Sequence, residues 1–270
     1  MATVHPTAVV EDGAELAESV SVGPYAVIGP DVRVGRGCVI HGHAVLSGNT
    51  EIGEGNVVHP HAVLGGSPQD LKYADEPTRL VMGDRNVVRE GVTINTGTVQ
   101  GGGSTTVGSE CVFMANSHVA HDCVLGDRVI LANNVMLAGH IKVRTGAIVN
   151  GGAGIHHFTT IGEYAYIGGL SRITNDVPPF TIVEGHPSRV RGVNVIGLKR
   201  ARMSPEAIAA IKEAFKLLFR SDHPVREACA HLEDEFASVP EVLTLVEFMR
   251  AREGGRLGRQ NESPRRRFDP

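Results

Sequence analysis

The stretch VAHDCVLGDRVILANNVMLAGHIKV, residues 119–143, carries an aliphatic residue at every sixth position. These positions are Val119, Leu125, Leu131, Leu137 and Val143. A period of six is a multiple of two, so in β-strands these residues lie on one face, whereas a helix would need a period near 3.6. The stretch therefore predicts a succession of short strands and excludes a helix.

The same period runs through residues 4–64, 82–94 and 107–173, and every sixth residue in these ranges is apolar. Glycine often follows the apolar residue, where a turn benefits from its conformational freedom. A short fixed period is the signature of a solenoid. The pattern resembles the hexapeptide-repeat proteins, in which three hexads form one triangular coil of 18 residues. The resemblance implies a mainly β fold, a left-handed parallel β-helix; the period itself does not determine the hand.

Two insertions interrupt the hexads, and we expect both to project from the solenoid as loops. The first is GGSPQDLKYADEPTR at residues 65–79, and the second is GTVQGGGST at residues 97–105. Insertions in solenoids map to one face and often carry function. We interpret the second either as a flexible lid or as a substrate guide.

The hexad pattern ends at Pro178-Pro179, so we assign residues 1–190 to the β-helix and 191–252 to a C-terminal α-helical domain. Ser204-Pro205 is a helix start, with an N-cap residue followed by proline at the first helical position. Apolar residues then recur at helical spacing in three amphipathic segments. Residues 253–270 combine glycine, arginine and proline without periodicity, and we predict that they are disordered.

Composition excludes several classes of function. The net charge of −4 gives no basic footprint for nucleic acid. The N-terminus has no secretory-signal pattern, and no run of 18 apolar residues predicts a membrane span. Four cysteines without metal-ligand spacing fit a reducing compartment, so we expect a cytoplasmic protein: Cys38, Cys111, Cys123 and Cys229.

Histidines concentrate in three successive coils late in the solenoid: His118, His121, His140, His156 and His157. With 18 residues to a coil, Gly139 stacks on His121 and His157 stacks on Gly139. This column predicts a site at one corner of the prism. The alternative is a set of imidazoles that fills a polar corner or a seam between subunits.

Several segments in the same order make the resemblance specific: QDLKYADEPTR, GTVQGGG, AHDC, LANNVMLAGH, IHHF, DVPPF and GVNVIGLKR. They are similar to those of the UDP-N-acetylglucosamine O-acyltransferases over nearly the whole chain. The resemblance implies transfer of a 3-hydroxyacyl group from acyl carrier protein to the sugar 3-position, the first step of lipid A biosynthesis. It implies a homotrimer with sites between subunits. It also implies no metal and no cofactor beyond the phosphopantetheine arm that carries the acyl group.

The resemblance assigns roles to individual residues. It makes His121 the general base, Asp122 the residue that orients it, and the backbone N–H of Gly139 the oxyanion donor. Adjacent residues of a flat strand face opposite sides, so the pairing of His121 with Asp122 requires a corner. Gly169 falls at the position that measures acyl length. The resemblance implies ten substrate-binding residues, of which Gly169 is one: Gln69, Asp70, Lys72, His118, His140, His156, His157, Gly169, Asn194 and Arg200.

Three positions depart from the family pattern and leave alternatives open. Asn95 replaces a histidine, Ile196 replaces a glutamate, and His157 stands where glutamine is common. An acceptor with a 3-amino group, which would give an amide, is therefore an alternative. So are a zinc hydratase that uses three of the histidines and a non-catalytic solenoid. A basic patch near the helices is predicted to favour encounter with the acidic carrier protein: Lys199, Arg200, Arg202 and Arg220.

Overall fold

The structure, a computed structural model, describes residues 1–262 and consists of short strands followed by helices. In chain order the strands are β1 (Thr3–Val4), β2 (Val9–Val10), β3 (Glu15–Leu16), β4 (Ser21–Val22), β5 (Val27–Ile28), β6 (Val32–Val34), β7 (Val39–Ile40), β8 (Val45–Leu46), β9 (Asn49–Ile52), β10 (Val57–Val58), β11 (Val63–Gly66), β12 (Arg79–Met82), β13 (Val87–Val88), β14 (Thr93–Asn95), β15 (Ser104–Val107), β16 (Val112–Phe113), β17 (His118–Val119), β18 (Val124–Leu125), β19 (Ile130–Leu131), β20 (Met136–Leu137), β21 (Lys142–Val143), β22 (Ile148–Val149), β23 (Gly154–Ile155), β24 (Thr160–Ile161), β25 (Tyr166–Ile167), β26 (Arg172–Ile173), β27 (Thr181–Gly185) and β28 (Ser188–Val193).

The strands form the three faces of a left-handed parallel β-helix, as the hexad period and the family resemblance predicted. Face A runs β1-β4-β7-β10-β13-β16-β19-β22-β25-β27-β28, face B runs β2-β5-β8-β11-β14-β17-β20-β23-β26, and face C runs from β3 to β24. Within the coils, each strand pairs in parallel with the equivalent strand of the next coil, so that Val119 lies opposite Leu137. Side chains 18 residues apart therefore stack along the prism.

The apolar hexad residues fill the interior. Phe113 is the largest side chain that is fully buried there, and the other interior residues are mostly aliphatic. The coil at the N-terminal end has no neighbour on one side, and Val4 is 41% exposed. Burial of an aliphatic side chain contributes about 1.5–3 kcal/mol, so a narrow core of Val, Ile and Leu stabilises the prism without tryptophan.

Both insertions leave the solenoid unbroken. Across the first, β12 pairs with β9, with Arg79 opposite Asn49. Across the second, β15 pairs with β12, with Ser104 opposite Arg79. The loops therefore comprise residues 67–78 and 96–103, and the second contains a single 3-10 turn at Val99–Gly101.

Within the described residues, four helices follow the solenoid: α1 (Val195–Arg200), α2 (Pro205–Arg220), α3 (Val225–Glu235) and α4 (Pro240–Gly254). The Ser204 hydroxyl accepts a hydrogen bond from the Ala207 N–H at 3.1 Å, as expected of an N-cap. The helices share an apolar core with Phe180 of the last coil. Among residues 1–262, no helix is long and apolar enough to cross a bilayer.

Two expected boundaries need correction. The hairpin β27–β28 pairs antiparallel and continues to Val193, so the division expected at residue 190 falls inside a strand. The prediction of disorder from residue 253 is wrong for 253–262. Helix α4 ends at Gly254, and residues 255–262 lie against the last coil through hydrogen bonds of their polar groups. The rest of the expected tail, 263–270, lies outside the described residues.

Candidate active site

The corner between faces B and C brings His121 and Asp122 together. Asp122 has a φ of 60°, and His140 and Phe158 at the same corner of the next two coils have φ values of 62° and 64°. This left-handed turn lets the side chains of two adjacent residues meet, which a flat strand would prevent. The Nδ1 atom of His121 lies 2.7 Å from Asp122 Oδ2. Both residues are buried, with 6% of each exposed.

The second loop holds the Asp122 carboxylate in place. The Thr98 N–H donates to Oδ1 at 2.8 Å, and the Thr98 hydroxyl donates to Oδ2 at 2.6 Å. Burial alone would raise the pKa of Asp122, but hydrogen bonds from His121 and Thr98 outweigh it and lower that pKa. The carboxylate is therefore ionised near neutral pH, and it fixes the orientation of the imidazole.

Gly139 lies one coil beyond His121 and against its ring. A Cβ atom at residue 139 would come within 2.5 Å of His121 Cε1 and 2.7 Å of Nε2. Carbon atoms in contact normally stay beyond 3.4 Å. Only glycine allows the backbone to approach the imidazole this closely.

The backbone N–H of Gly139 is available to a ligand, since it donates to no acceptor among residues 1–262. This availability follows from the turn. Prolines, which have no N–H, occupy the equivalent turn position at Pro24, Pro60 and Pro179, each directly before a residue of positive φ. The turn therefore does not need an N–H at this position, and the unused N–H of Gly139 lies beside the His121 imidazole.

Two further histidines surround the pair. His140 Nδ1 is 3.6 Å from Asp122 Oδ2, and its ring stacks on Phe158 at 4.6 Å. His118 Nδ1 lies 2.7 Å from the Thr93 hydroxyl. Burial lowers the pKa of both His118 and His140, so both are neutral near neutral pH. They add hydrogen-bonding groups to the site without adding charge.

His121, Asp122 and His140 could also hold a divalent ion, because their ligand atoms lie within 4.8 Å of one another. This set differs from the three histidines that the hydratase alternative requires, because a carboxylate stands in place of one imidazole. The Oδ2 atom of Asp122 already accepts the Thr98 hydroxyl and faces both imidazoles. An ion would have to replace these hydrogen bonds.

A cleft of about 550 Å³ runs from this corner across face B. Its floor is mainly apolar, and its polar lining residues include His118, His121, His156, His157 and Gln69 of the first loop, together with Arg172. The predicted residues Gln69, His118, His156 and His157 thus meet His121 and Gly139 at one cleft.

The first loop closes over the same corner. Asp70 Oδ1 accepts the Lys72 N–H at 3.0 Å, which turns the loop. Asp70 lies close enough that its charge acts to raise the pKa of His140 and His157, although burial dominates and lowers both. Lys72 is exposed and makes no side-chain hydrogen bond to residues 1–262.

Gly169, Asn194 and Arg200 lie away from the corner that His121 and the first loop share. Gly169 is exposed at the corner between faces A and B. Asn194 and Arg200 line a separate cleft of about 870 Å³, on face A beneath the hairpin β27–β28. Asn194 is buried as the cap of α1, where its Oδ1 accepts the Gly197 N–H at 3.1 Å. A single chain therefore divides the predicted substrate residues between two faces.

Two of the three departures from the family pattern, Asn95 and Ile196, have different surroundings. Asn95 is buried, and its Nδ2 donates to Gly66 O at 3.3 Å and Ser67 O at 3.0 Å, where the first loop begins. Its Oδ1 is buried without a hydrogen-bond partner in the described chain. Ile196 is 67% exposed and lines the cleft on face A.

Sequence reasoning missed Thr98, Met136 and Arg172. Thr98 lies in an insertion, where no period indicates which residue it will contact. Met136 and Arg172 stack with His118 on the outer side of face B, at intervals of one and three coils. The 18-residue interval that aligned Gly139 with His121 could have found these two residues.

Comparisons with known proteins agree with the fold. Residues 13–48, 31–66 and 104–139 match the bacterial transferase hexapeptide model. Residues 176–257 match the model of UDP-N-acetylglucosamine O-acyltransferase, domain 2. The solenoid and its helical domain thus define a hexapeptide-repeat transferase.

Individual relatives narrow this class. The acyl-(acyl-carrier-protein)–UDP-N-acetylglucosamine O-acyltransferase of Thiobacillus denitrificans is 51% identical over 94% of this chain and 99% of its own. That of Burkholderia lata is 48% identical over the same shares. The structure of UDP-N-acetylglucosamine O-acyltransferase from Moraxella catarrhalis matches with a TM-score of 0.88 at 39% identity, over 92% of this chain and 96% of its own. The chain belongs to the UDP-N-acetylglucosamine O-acyltransferase family.

Proposed function

We propose that the protein transfers a 3-hydroxyacyl group from acyl carrier protein to the 3-hydroxyl of UDP-N-acetylglucosamine, as the first step of lipid A biosynthesis. The observation that carries the proposal is the hydrogen-bonded pair of His121 and Asp122 beside the free N–H of Gly139, in a cleft with an apolar floor. The names of the relatives support acyl carrier protein as the carrier of the acyl group and UDP-N-acetylglucosamine as the acceptor.

The geometry suits acyl transfer. A sugar hydroxyl is a weak nucleophile, so a base must take its proton as it attacks the thioester. In our proposal His121 takes this proton, while the ionised Asp122 orients the ring and stabilises the imidazolium that forms. The proton then passes to the departing thiolate of phosphopantetheine. Loss of the base should reduce the rate by about 10²–10⁴-fold.

The tetrahedral intermediate carries a negative oxygen. We assign the Gly139 N–H as its hydrogen-bond donor, since no other acceptor among residues 1–262 uses it. Such donors stabilise the transition state by about 3–4 kcal/mol. The acyl chain would lie on the floor of the cleft, against Met136, Leu137 and Ile155.

We infer that the site is completed in a homotrimer. Outward residues of face A are aliphatic from Val39 to Ile148, and those of face B are aliphatic in the N-terminal half of the solenoid. Face C mixes charged residues with Val81 and Val124. Face A carries Val39, Val57, Val87, Val112, Ile130 and Ile148, and face B carries Val27, Val45 and Val63; face C carries Glu15, Arg33, Glu51 and Lys142. Packing face A of one chain on face B of the next, around a closed ring, buries both apolar surfaces. It also brings Asn194 and Arg200 of one chain to the His121 cleft of another.

Mixed oligomers test this arrangement. We expect the His121→Ala and Arg200→Ala proteins to be strongly impaired as homotrimers. Random co-assembly in equal amounts should restore about a quarter of the sites, since each needs His121 from one chain and Arg200 from its neighbour. Activity no greater than that of the separate variants, with mixed trimers present by mass measurement, would contradict the shared site.

The acceptor is tested directly. Purified protein would be offered UDP-N-acetylglucosamine and its 3-amino analogue, each with 3-hydroxyacyl carrier proteins of several chain lengths. The proposal expects an ester with the first acceptor and loss of turnover in His121→Ala. If a product formed only with the 3-amino sugar, the proposed ester formation would be wrong and the reaction would be amide formation. That is the alternative that Asn95 and Ile196 leave open.

We further propose that the enzyme works in the cytoplasm, where its four free thiols fit a reducing environment. Lys199, Arg200 and Arg202 are exposed on and just after α1, and Arg220 ends α2. We assign them to the encounter with the acidic carrier protein. Because exposed charges mainly accelerate association, kcat/KM should fall as salt concentration rises.

A further inference from the structure

Residues 255–262, which we term the C-terminal strap, end the same column of corner residues that contains the proposed base. At 18-residue intervals this column contains His121, Gly139, His157 and Asn175. In the part of the chain that the structure describes, no further coil follows Asn175 at this corner. The strap takes that place: Asn175 Nδ2 donates to the Leu257 carbonyl, and the Asp176 N–H donates to the Gly258 carbonyl at 2.8 Å.

Asp176 joins the strap to the solenoid. It is 3% exposed, and its carboxylate accepts the Thr160 N–H at 2.7 Å and the Gln260 N–H at 2.8 Å. Asn261 Nδ2 also donates to the Thr160 hydroxyl at 2.6 Å. These are specific polar contacts, beyond the apolar covering that the end of a solenoid requires.

Arg259 connects the strap to the catalytic cleft. Its side chain is 6% exposed and paired with Glu262, and its Nη1 donates to the Thr174 carbonyl at 2.6 Å. Thr174 lines the cleft together with Ile173 and Arg172. A buried guanidinium thus fixes the backbone at the far wall of the cleft, two coils from Gly139.

We propose that the C-terminal strap is part of the active site, and that Arg259 is a positioning residue that holds the cleft wall at Thr174. This inference rests on the proposed acyl transfer. A loosened wall would impair binding of the acyl donor more than the proton transfer at His121. Thr174 lines the cleft, and within the described chain residues 255–262 make no hydrogen bond to His121 or Asp122.

The charge of Arg259 also reaches His157. Burial is the main cause that lowers the pKa of His157; His156 and His121 lower it further, Asp70 opposes them, and Arg259 adds to the lowering. His157 lines the cleft, where its side chain is partly covered and partly exposed to solvent. Its titration therefore reports whether the strap is seated, independently of turnover.

The test compares Arg259→Gln, Arg259→Lys and a matched control, Arg144→Gln. Arg144 is also paired with a carboxylate, Glu163 at 3.0 Å, but lies outside the strap. We expect Arg259→Gln to raise KM for the acyl carrier protein about 10-fold with a smaller change in kcat, because it loses a charged hydrogen bond at the wall. By NMR, with the His157 signal assigned through a His157→Gln variant, the His157 pKa should rise. Arg259→Lys should preserve the pKa and recover part of the KM, and Arg144→Gln should leave both unchanged.

Folded, trimeric Arg259→Gln protein with wild-type KM and wild-type His157 titration would overturn the inference. A rise in KM that leaves the His157 titration unchanged and that Arg259→Lys does not reverse would also overturn the inference. The strap would then only cover the end of the solenoid. If the wild-type protein transfers no acyl group, the proposed function fails instead, and the titration still shows whether Arg259 is coupled to His157.

Discussion

Replacing Gly139 with alanine should disable the reaction without unfolding the protein. The new Cβ would lie 2.5 Å from His121 Cε1, so the ring would have to retreat by roughly 0.9 Å to reach ordinary contact at 3.4 Å. The ring cannot retreat freely, because Nδ1 is held at 2.7 Å by Asp122, which Thr98 holds in turn. A misplacement of about 1 Å costs on the order of 10²-fold in rate. We expect kcat to fall about 100-fold in steady-state assays.

The control for this variant is Gly192→Ala, since a Cβ at residue 192 meets nothing within 4 Å. Neither residue has a positive φ, so alanine costs no backbone strain at either site. Both variants should remain folded, as judged by circular dichroism and thermal melting. If Gly139→Ala retained wild-type kcat, the imidazole would not be the base, or the ring would not be fixed where the structure places it.

Three further predictions concern the Thr98 hydroxyl, the Asp122 carboxylate and two buried cysteines. Thr98→Val removes the hydroxyl from Asp122 but keeps the N–H bond, so kcat should fall about 10-fold; an unchanged kcat would mean that the second loop does not orient the base. The lowered pKa of Asp122 stabilises the fold above the ordinary carboxyl value of about 3.9, and this contribution is lost as pH falls through the lower folded value. The difference in free energy of unfolding between wild type and Asp122→Asn should therefore shrink in urea titrations at acid pH, and a constant difference would contradict it. Burial raises the pKa of Cys111 to about 11 and of Cys123 to about 12, so iodoacetamide at pH 7.5 should label neither until the protein unfolds, by mass spectrometry.

The solenoid could be predicted from sequence because its period is local. Every sixth residue from Val107 to Ile173 is apolar, and the 18-residue coil then aligns Gly139 with His121 without coordinates. The helices α2, α3 and α4 were predictable for a similar reason, since their apolar residues recur at helical spacing and α2 begins at a recognisable cap. Regular elements carry their geometry in their spacing.

Contacts made by irregular segments could not be predicted in this way. Thr98 reaches Asp122 from a loop, and a loop contact depends on a path that no period describes. The strap was mistaken for disorder because its residues are polar and aperiodic. Its order comes instead from buried polar groups of the last coil, such as the carboxylate of Asp176, which need partners. In the proposed trimer, the positions of Asn194 and Arg200 relative to His121 would depend on a neighbouring chain, which the sequence of one chain does not describe.

The unpaired N–H of the corner turn has a consequence for how such enzymes arise. Most windings repeat the turn, and neighbouring windings lie about 4.8 Å apart. An edge of the prism therefore presents a backbone donor wherever the turn residue is not proline and no side chain accepts its N–H, as the Asp127 carboxylate accepts that of Ser109. A proton acceptor one winding earlier, and a glycine where the chain must come near it, convert one of these donors into part of a reaction centre. Catalysis on this scaffold therefore requires few substitutions, and a relocated centre could use the same edge one winding away.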